Sequence, residues 1–210
     1  MTTVGRLHLI SDRARCPLER LPEVAALAVR GGVDTVHLRE KDLPGGVLLE
    51  LAGRLREAIN GRAALIVNER VDVAVLAGAD GVQLGEAGLP IDGTRRLLGD
   101  RLIGRSVHDR AGAWKAGMQR ADFLLAGHVY ETGSKAGQPG RGLRMLGELA
   151  GVSHLPVVAI GGITPERVVP VLRAGAWGVA VLSGILAADE PEAAARRYRE
   201  VIEEELTQWS

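Results

Sequence analysis

RGGVDTVHL (residues 30–38) returns three times along the chain, as LAGADGVQL (76–84), MQRADFLLA (118–126) and RAGAWGVAV (173–181). In three of the four copies a helical stretch stops on glycine, where a left-handed backbone closes a helix at little steric cost. A small or acidic residue follows, then a short run apolar on both faces, the mark of a strand buried in a parallel sheet. The copies begin 46, 42 and 55 residues apart in a chain of 210. One strand–helix unit of an eight-unit barrel of this length takes about 26 residues, so the copies stand roughly two units apart and mark the even-numbered strands. A doubly wound sheet would show no such regularity. The repeat therefore predicts an α/β chain forming one domain over residues 1–210, a (β/α)8 TIM barrel.

Outward from the repeat, the apolar runs place strands at 7–11, 35–38, 64–67, 81–84, 102–106, 123–126, 156–160 and 179–182. Amphipathic stretches of helical length lie between them, among them 21–29, 46–59 and 166–174. The Pro/Gly-rich stretch 133–142 is a loop within the pattern, not a domain boundary.

Composition narrows the function. Lys+Arg and Asp+Glu are 26 each, so the net charge is zero, which disfavours nucleic-acid binding through a broad basic footprint. Apolar residues at 46% and charged ones at 25% fit a globular domain rather than a disordered chain. The single cysteine, Cys16, excludes an intramolecular disulfide framework and has no thiol-activating motif around it. No apolar run is long enough for a membrane span, and the N-terminus lacks a signal-peptide core, so a cytoplasmic location is expected.

Barrel active sites lie at the C-terminal ends of the strands. After the second strand, His37, Arg39 and Lys41 fall on one side by alternation, as an anion site or as a surface salt-bridge cluster with Glu40 and Asp42. After the third come Asn68 and Glu69, as polar contacts, metal ligands or, for Asn68, a helix N-cap. Ser106 reaches the rim after the fifth, with Asp109 as a helix N-cap. The sixth opens the longest loop, which carries His128, Thr132, Ser134, Lys135 and Arg141 among glycines. Gly161-Gly162 after the seventh and Leu182-Ser183-Gly184 after the eighth match the recurrent barrel phosphate site, built from backbone N–H groups and a helix start. The residues alone thus point to a barrel binding a small phosphorylated molecule, with His128 as the acid/base candidate.

HLREK (37–41), LIVNERVDVAVLAGADGVQLG (65–85), GRSVH (104–108), AIGGIT (159–164) and VAVLSGI (179–185) together resemble the thiamine phosphate synthase superfamily over nearly the whole chain. One branch couples a pyrimidine diphosphate to thiazole phosphate with Mg2+ held by two aspartates. The other is the TenI-type thiazole tautomerase, which aromatises a carboxythiazole phosphate precursor without metal or organic cofactor. At the two aspartate positions this chain carries Glu69 and Gly88, and the synthase glutamine becomes His37. Gly127-His128 and the following loop are similar to the tautomerase loop. The resemblance therefore implies a tautomerase, an isomerase with His128 moving the proton. It implies that His37, Arg39, Lys41, Asn68, Ser106 and Lys135 bind substrate, and that Thr132, Ser134, Gly162, Leu182 and Ser183 hold the thiazole phosphate. The alternative it leaves is the Mg2+-dependent synthase, with Glu69 and another acid such as Glu86 rebuilding the metal site. A third is a non-catalytic regulator that binds thiazole phosphate. A homodimer or higher homo-oligomer is also expected from the resemblance, while the zero net charge and the lack of a long apolar run lead to no expected nucleic-acid or membrane partner.

Overall fold

The computed structural model describes residues 3–135 and 137–208. Eight parallel strands close in sequence order: β1 (Leu7–Ile10), β2 (Thr35–Leu38), β3 (Ala64–Asn68), β4 (Gly81–Leu84), β5 (Leu102–Val107), β6 (Phe123–Gly127), β7 (Val157–Ile160) and β8 (Gly178–Val181). β8 pairs back onto β1, with Val179 beside Leu7. Around them lie α1 (Leu21–Arg30), α2 (Gly45–Ile59), α3 (Val71–Leu76), α4 (Ile91–Leu98), α5 (Arg110–Met118), α6 (Gly142–Ala150), α7 (Pro165–Arg173), α8 (Ser183–Leu186) and α9 (Pro191–Thr207). Every expected strand end lies within one residue of the observed one. No helix among the described residues is long and apolar enough to cross a membrane.

The repeat that predicts the barrel is a cap followed by a strand anchor. Its third position takes a positive φ in all four copies: 107° at Gly32, 63° at Gly78, 65° at Arg120 and 98° at Gly175. The next amide then donates back five residues: Val33 to Ala28, Ala79 to Ala74, Ala121 to Ala116 and Ala176 to Val171. That is the closure of a helix by a left-handed residue. In three copies an aspartate follows, and its carboxylate takes an N–H from the first two residues of the preceding odd strand. Asp34 accepts from Leu7 (3.2 Å), Asp80 from Leu65 (2.8 Å) and Asp122 from Ile103 (2.7 Å). An edge amide that would otherwise be buried unpaired is thereby satisfied.

Two apolar layers result. The larger lies between strands and helices and takes in Cys16, which is 3% exposed. The smaller fills the barrel with Ile10, Ile66, Leu102, Phe123, Val158 and Ala180.

Candidate active site

Inward side chains alternate along each strand and stack in layers of four drawn from alternate strands. The pairing registers put Ile10, Asn68, Ser106 and Ile160 in one layer just inside the C-terminal mouth. The layer beneath holds His37, Gln83, Leu125 and Ala180. Beneath that come His8, Ile66, Val158 and the bare Gly104, where a Cβ would strike Gln83 and Phe123. Above the first layer, at the mouth itself, stand Arg39, Gly85, Gly127 and Leu182.

His37 is therefore not a rim residue. It is 1% exposed, because one inward step along β2, about 7 Å, separates it from Arg39. His8 Nε2 faces the Gly5 carbonyl at 3.1 Å, which only accepts, so Nε2 carries the proton. His8 Nδ1 then accepts from His37 Nε2–H at 2.9 Å, and His37 Nδ1 is left as a buried acceptor without a partner. Burial pushes both imidazoles below their ordinary pKa; His8 pushes His37 further, while Asp34 opposes the shift at His8.

Arg39 is half-buried after β2 and Lys41 exposed two residues on. Glu40 does not neutralise them, since it turns to the neighbouring strand. Its Oε1 takes the Ser11 hydroxyl (2.6 Å), its Oε2 the Arg13 N–H (3.3 Å), and Ser11 Oγ accepts the Arg39 N–H (2.8 Å). Asp42 pairs with Arg13 at 3.4 Å. Among the described residues no carboxylate lies within ion-pair distance of the Arg39 or Lys41 side chain, so the salt-bridge reading of this cluster fails.

Asn68 is not an N-cap: α3 begins at Val71, with Arg70 before it, and Asn68 faces inward at the end of β3. Ser106 Oγ accepts from Gln83 Nε2 at 3.1 Å. Gln83 and His8 belong to this interior and were legible as polar residues at inward positions of otherwise apolar strands. Asp109 caps α5, accepting from Gly112 N–H at 2.7 Å.

Glu69 has φ +62° and seats its carboxylate against two glycines. Oε1 accepts the Gly85 N–H at 2.5 Å, and Oε2 lies 2.7 Å from where a Cβ on Gly88 would stand. Arg105 holds the same turn from the other side, donating to the carbonyls of Gly85 (2.5 Å) and Leu89 (2.6 Å). Burial lowers the Arg105 pKa, with Glu69 opposing. Glu86, the other candidate acid, lies 3.8 Å from His108 Nε2. A Mg2+ cradle of two carboxylates does not fit this donor set, because one position has no side chain and the other acid is engaged in holding a turn.

The segment after β6 stays bonded to the end of β7 and the turn that follows it. Val129 N–H donates to Ile160 and Tyr130 N–H to Gly161, and the Arg141 and Gly142 amides return to His128 and Val129. His128 packs at its base, 7% exposed, with Nε2 3.3 Å from the Gln138 carbonyl and Nδ1 buried without a partner. Thr132, Ser134 and Lys135 lie on and beside a 3-10 turn, Gly133–Lys135, beyond it. The bare faces of Gly161 and Gly162 receive His128 and the Glu131 carbonyl, so these glycines also dock the segment onto β7. Ser183 opens α8 on the same rim and is exposed.

The thiamine monophosphate synthase family model matches residues 7–185. The chain belongs to that family. Its relatives include a putative thiamine-phosphate synthase of Geobacter sulfurreducens, 47% identical over 90% of this chain and 91% of the other. Another is a thiamine-phosphate synthase of Methanoculleus marisnigri, 46% identical over 93% and 94%. A thiamine phosphate pyrophosphorylase from Pyrococcus furiosus superposes with a TM-score of 0.87 at 34% identity, covering 96% of both chains. These findings overturn the tautomerase expectation: the named family members are synthases, transferases rather than isomerases. The proton-transfer role of His128 belongs to the tautomerase reading and goes no further. The Gly127-His128 pair misled because residues at one loop base outweighed likeness spread over the whole chain.

Proposed function

We propose that this protein is a thiamine-phosphate synthase, a transferase that joins a hydroxymethylpyrimidine diphosphate to thiazole phosphate. The thiazole ring nitrogen forms a bond to the pyrimidine methylene carbon. The bond from that carbon to the diphosphate oxygen breaks, and diphosphate leaves with the electron pair. No ring proton is lost, so the coupling asks for no general base. It asks for positive charge where the leaving group develops its own, and for a fixed line of approach.

The observation that carries this reading is the unopposed pair Arg39 and Lys41. Glu40 is engaged by Ser11 and the Arg13 N–H, and in this reading it leaves the charges of Arg39 and Lys41 to an anion at the barrel mouth. Lys135, exposed on the segment after β6, adds a third. These three hold the diphosphate and stabilise it as it leaves. Asn68 and Ser106, from the layer beneath, bind the pyrimidine. His37 contributes from within the barrel as an acceptor. Thr132, Ser134, Gly162, Leu182 and Ser183, from the segments after β6, β7 and β8, take the thiazole phosphate. The test is incubation with both substrates, following thiamine phosphate by chromatography and diphosphate by a coupled assay. Equal release of the two products supports the reading; neither product with folded protein counts against it.

A further inference from the structure

Glu69 is held as a structural part would be. Its carboxylate lies in a socket made by two residues without side chains, 2.6 Å from a Cβ position on Gly85 and 2.7 Å from one on Gly88. Gly88 N–H closes the turn onto the Gly85 carbonyl at 3.0 Å. Glu69 N–H donates to the Gln83 carbonyl at 2.9 Å, which fixes the residue to β4 at the backbone as well. An acid at position 88 would have its Cβ against the Glu69 oxygen, so the longer acid at 69 and the missing side chain at 88 are complementary. Of the other acids at the mouth, Asp12 accepts the Ala14 N–H and Glu40 is spent on Ser11 and Arg13. Glu131 follows β6, three strands round the barrel from β3. Among the described residues no three His, Cys, Asp or Glu side chains converge to hold an ion. A hard divalent cation takes several oxygens, and one to two carboxylates plus phosphate oxygens suffice only when the phosphates are present.

We infer that Glu69 is a strut for the turn after β4, and that this protein has no divalent-cation site of its own. Any cation would come with the diphosphate rather than be held by carboxylates of this chain, and Arg39, Lys41 and Lys135 would hold the anion. This deepens the transferase reading and rests on it, since that reading supplies the diphosphate.

The test reads Mn2+ binding rather than turnover. Mn2+ is titrated into the whole protein and the free ion is followed by electron paramagnetic resonance, first alone and then with inorganic pyrophosphate. Without pyrophosphate, no uptake is expected up to about 1 mM, the weak end of dedicated cation sites. With pyrophosphate, one Mn2+ per chain is retained. Glu69→Gln keeps an oxygen for the Gly85 N–H and removes the charge. It should leave the retained Mn2+ within about threefold, whereas a ligand lost from the cation should cost tenfold or more. Glu69→Ala, which empties the socket, should lower Tm by several degrees where Glu69→Gln does not. Stoichiometric Mn2+ binding to the protein alone, or a tenfold loss in Glu69→Gln, overturns the inference. Calorimetry with pyrophosphate separates the two levels: no heat with or without Mn2+ sinks the transferase reading and the inference together. Pyrophosphate binding accompanied by Mn2+ uptake on the bare protein sinks the inference alone.

Discussion

His8 Nδ1 accepts a hydrogen bond from His37 Nε2 at 2.9 Å inside the barrel, and both rings are about 1% exposed. The Gly5 carbonyl fixes the direction of this chain, so His8 cannot take a second proton without losing the bond from His37, and burial disfavours charge on either ring. Burial is the main cause of the lowered pKa of each. An unfolded histidine titrates near 6.5, and these titrate lower when folded, so below about 6.5 the unfolded state binds more protons. The stability they contribute is complete above the unfolded value. It falls as pH drops through 6.5 toward the folded values, by at most about 1.4 kcal/mol per pH unit for each ring. Urea unfolding at pH 7.5, 6.5 and 5.5 should show this slope below 6.5. His37→Gln should remove about half of it, because other titrating groups cancel in the comparison. An unchanged slope in the variant would mean that the pair is not buried neutral.

Arg120 occupies a left-handed position that glycine holds in the other three copies of the repeat, with φ +65°. Its side chain is exposed, and its structural duties are backbone ones: its carbonyl accepts from Arg95 at 2.9 Å. Arg120→Gly should relieve the steric cost of a Cβ there and stabilise the fold by about 0.5–1 kcal/mol, after the entropy that glycine loses. In a chain of this size that is a rise in Tm of about 1–4 °C. A fall would show that the arginine side chain contributes more than its backbone strain costs.

The same four segments explain what the sequence made legible. Caps, aspartate anchors and strands with apolar residues on both faces are local features, and each constrains its neighbours in the barrel, so the fold followed from pattern alone. The mouth was partly legible, because alternation identifies Arg39, Asn68 and Ser106 as inward. It was illegible where depth or partner choice decides. Nothing in HLREK tells that His37 lies one layer down on His8, or that Glu40 turns to Ser11 and leaves its cationic neighbours unpaired. Glu69 and Gly88 read separately as a weakened metal site, and only their packing shows one replacing the space of the other. The choice between synthase and tautomerase failed because a loop-base histidine has the same residue type whether it reacts or packs.

Arg39 and Lys41 give a direct test of the leaving-group site. Arg39→Gln should lower kcat/KM for the coupling by about 10²-fold, the usual cost of losing a positioned charge-stabilising donor. Lys41, more exposed and a point charge on a flexible stem, should cost less, about tenfold for Lys41→Gln. The reverse order would make Lys41 the principal diphosphate contact. Circular dichroism should be unchanged in both, since neither side chain has a hydrogen-bond partner within the described fold.

Ser183 tests the other half of the mouth. It is exposed and opens α8, where the first N–H groups have no intrahelical acceptor and a phosphate is favoured. Behind it, Gly184 packs its bare face on the Tyr198 hydroxyl, which donates to the Ile163 carbonyl at 3.1 Å, so the turn has a fixed backing. Ser183→Asp keeps the side chain small and adds one negative charge beside the expected phosphate. Two unit charges at about 4 Å repel by about 4 kcal/mol at an effective dielectric of 20, and salt and side-chain rotation reduce this. Thiazole phosphate should therefore bind about ten- to a hundredfold more weakly by calorimetry, and the loss should shrink as salt is raised. Pyrophosphate binding, directed to Arg39 and Lys41 after β2, two strands from β8, should weaken less than thiazole phosphate binding does at physiological ionic strength. Equal losses for both anions would merge the two sites into one, and no loss for thiazole phosphate would remove Ser183 from its site.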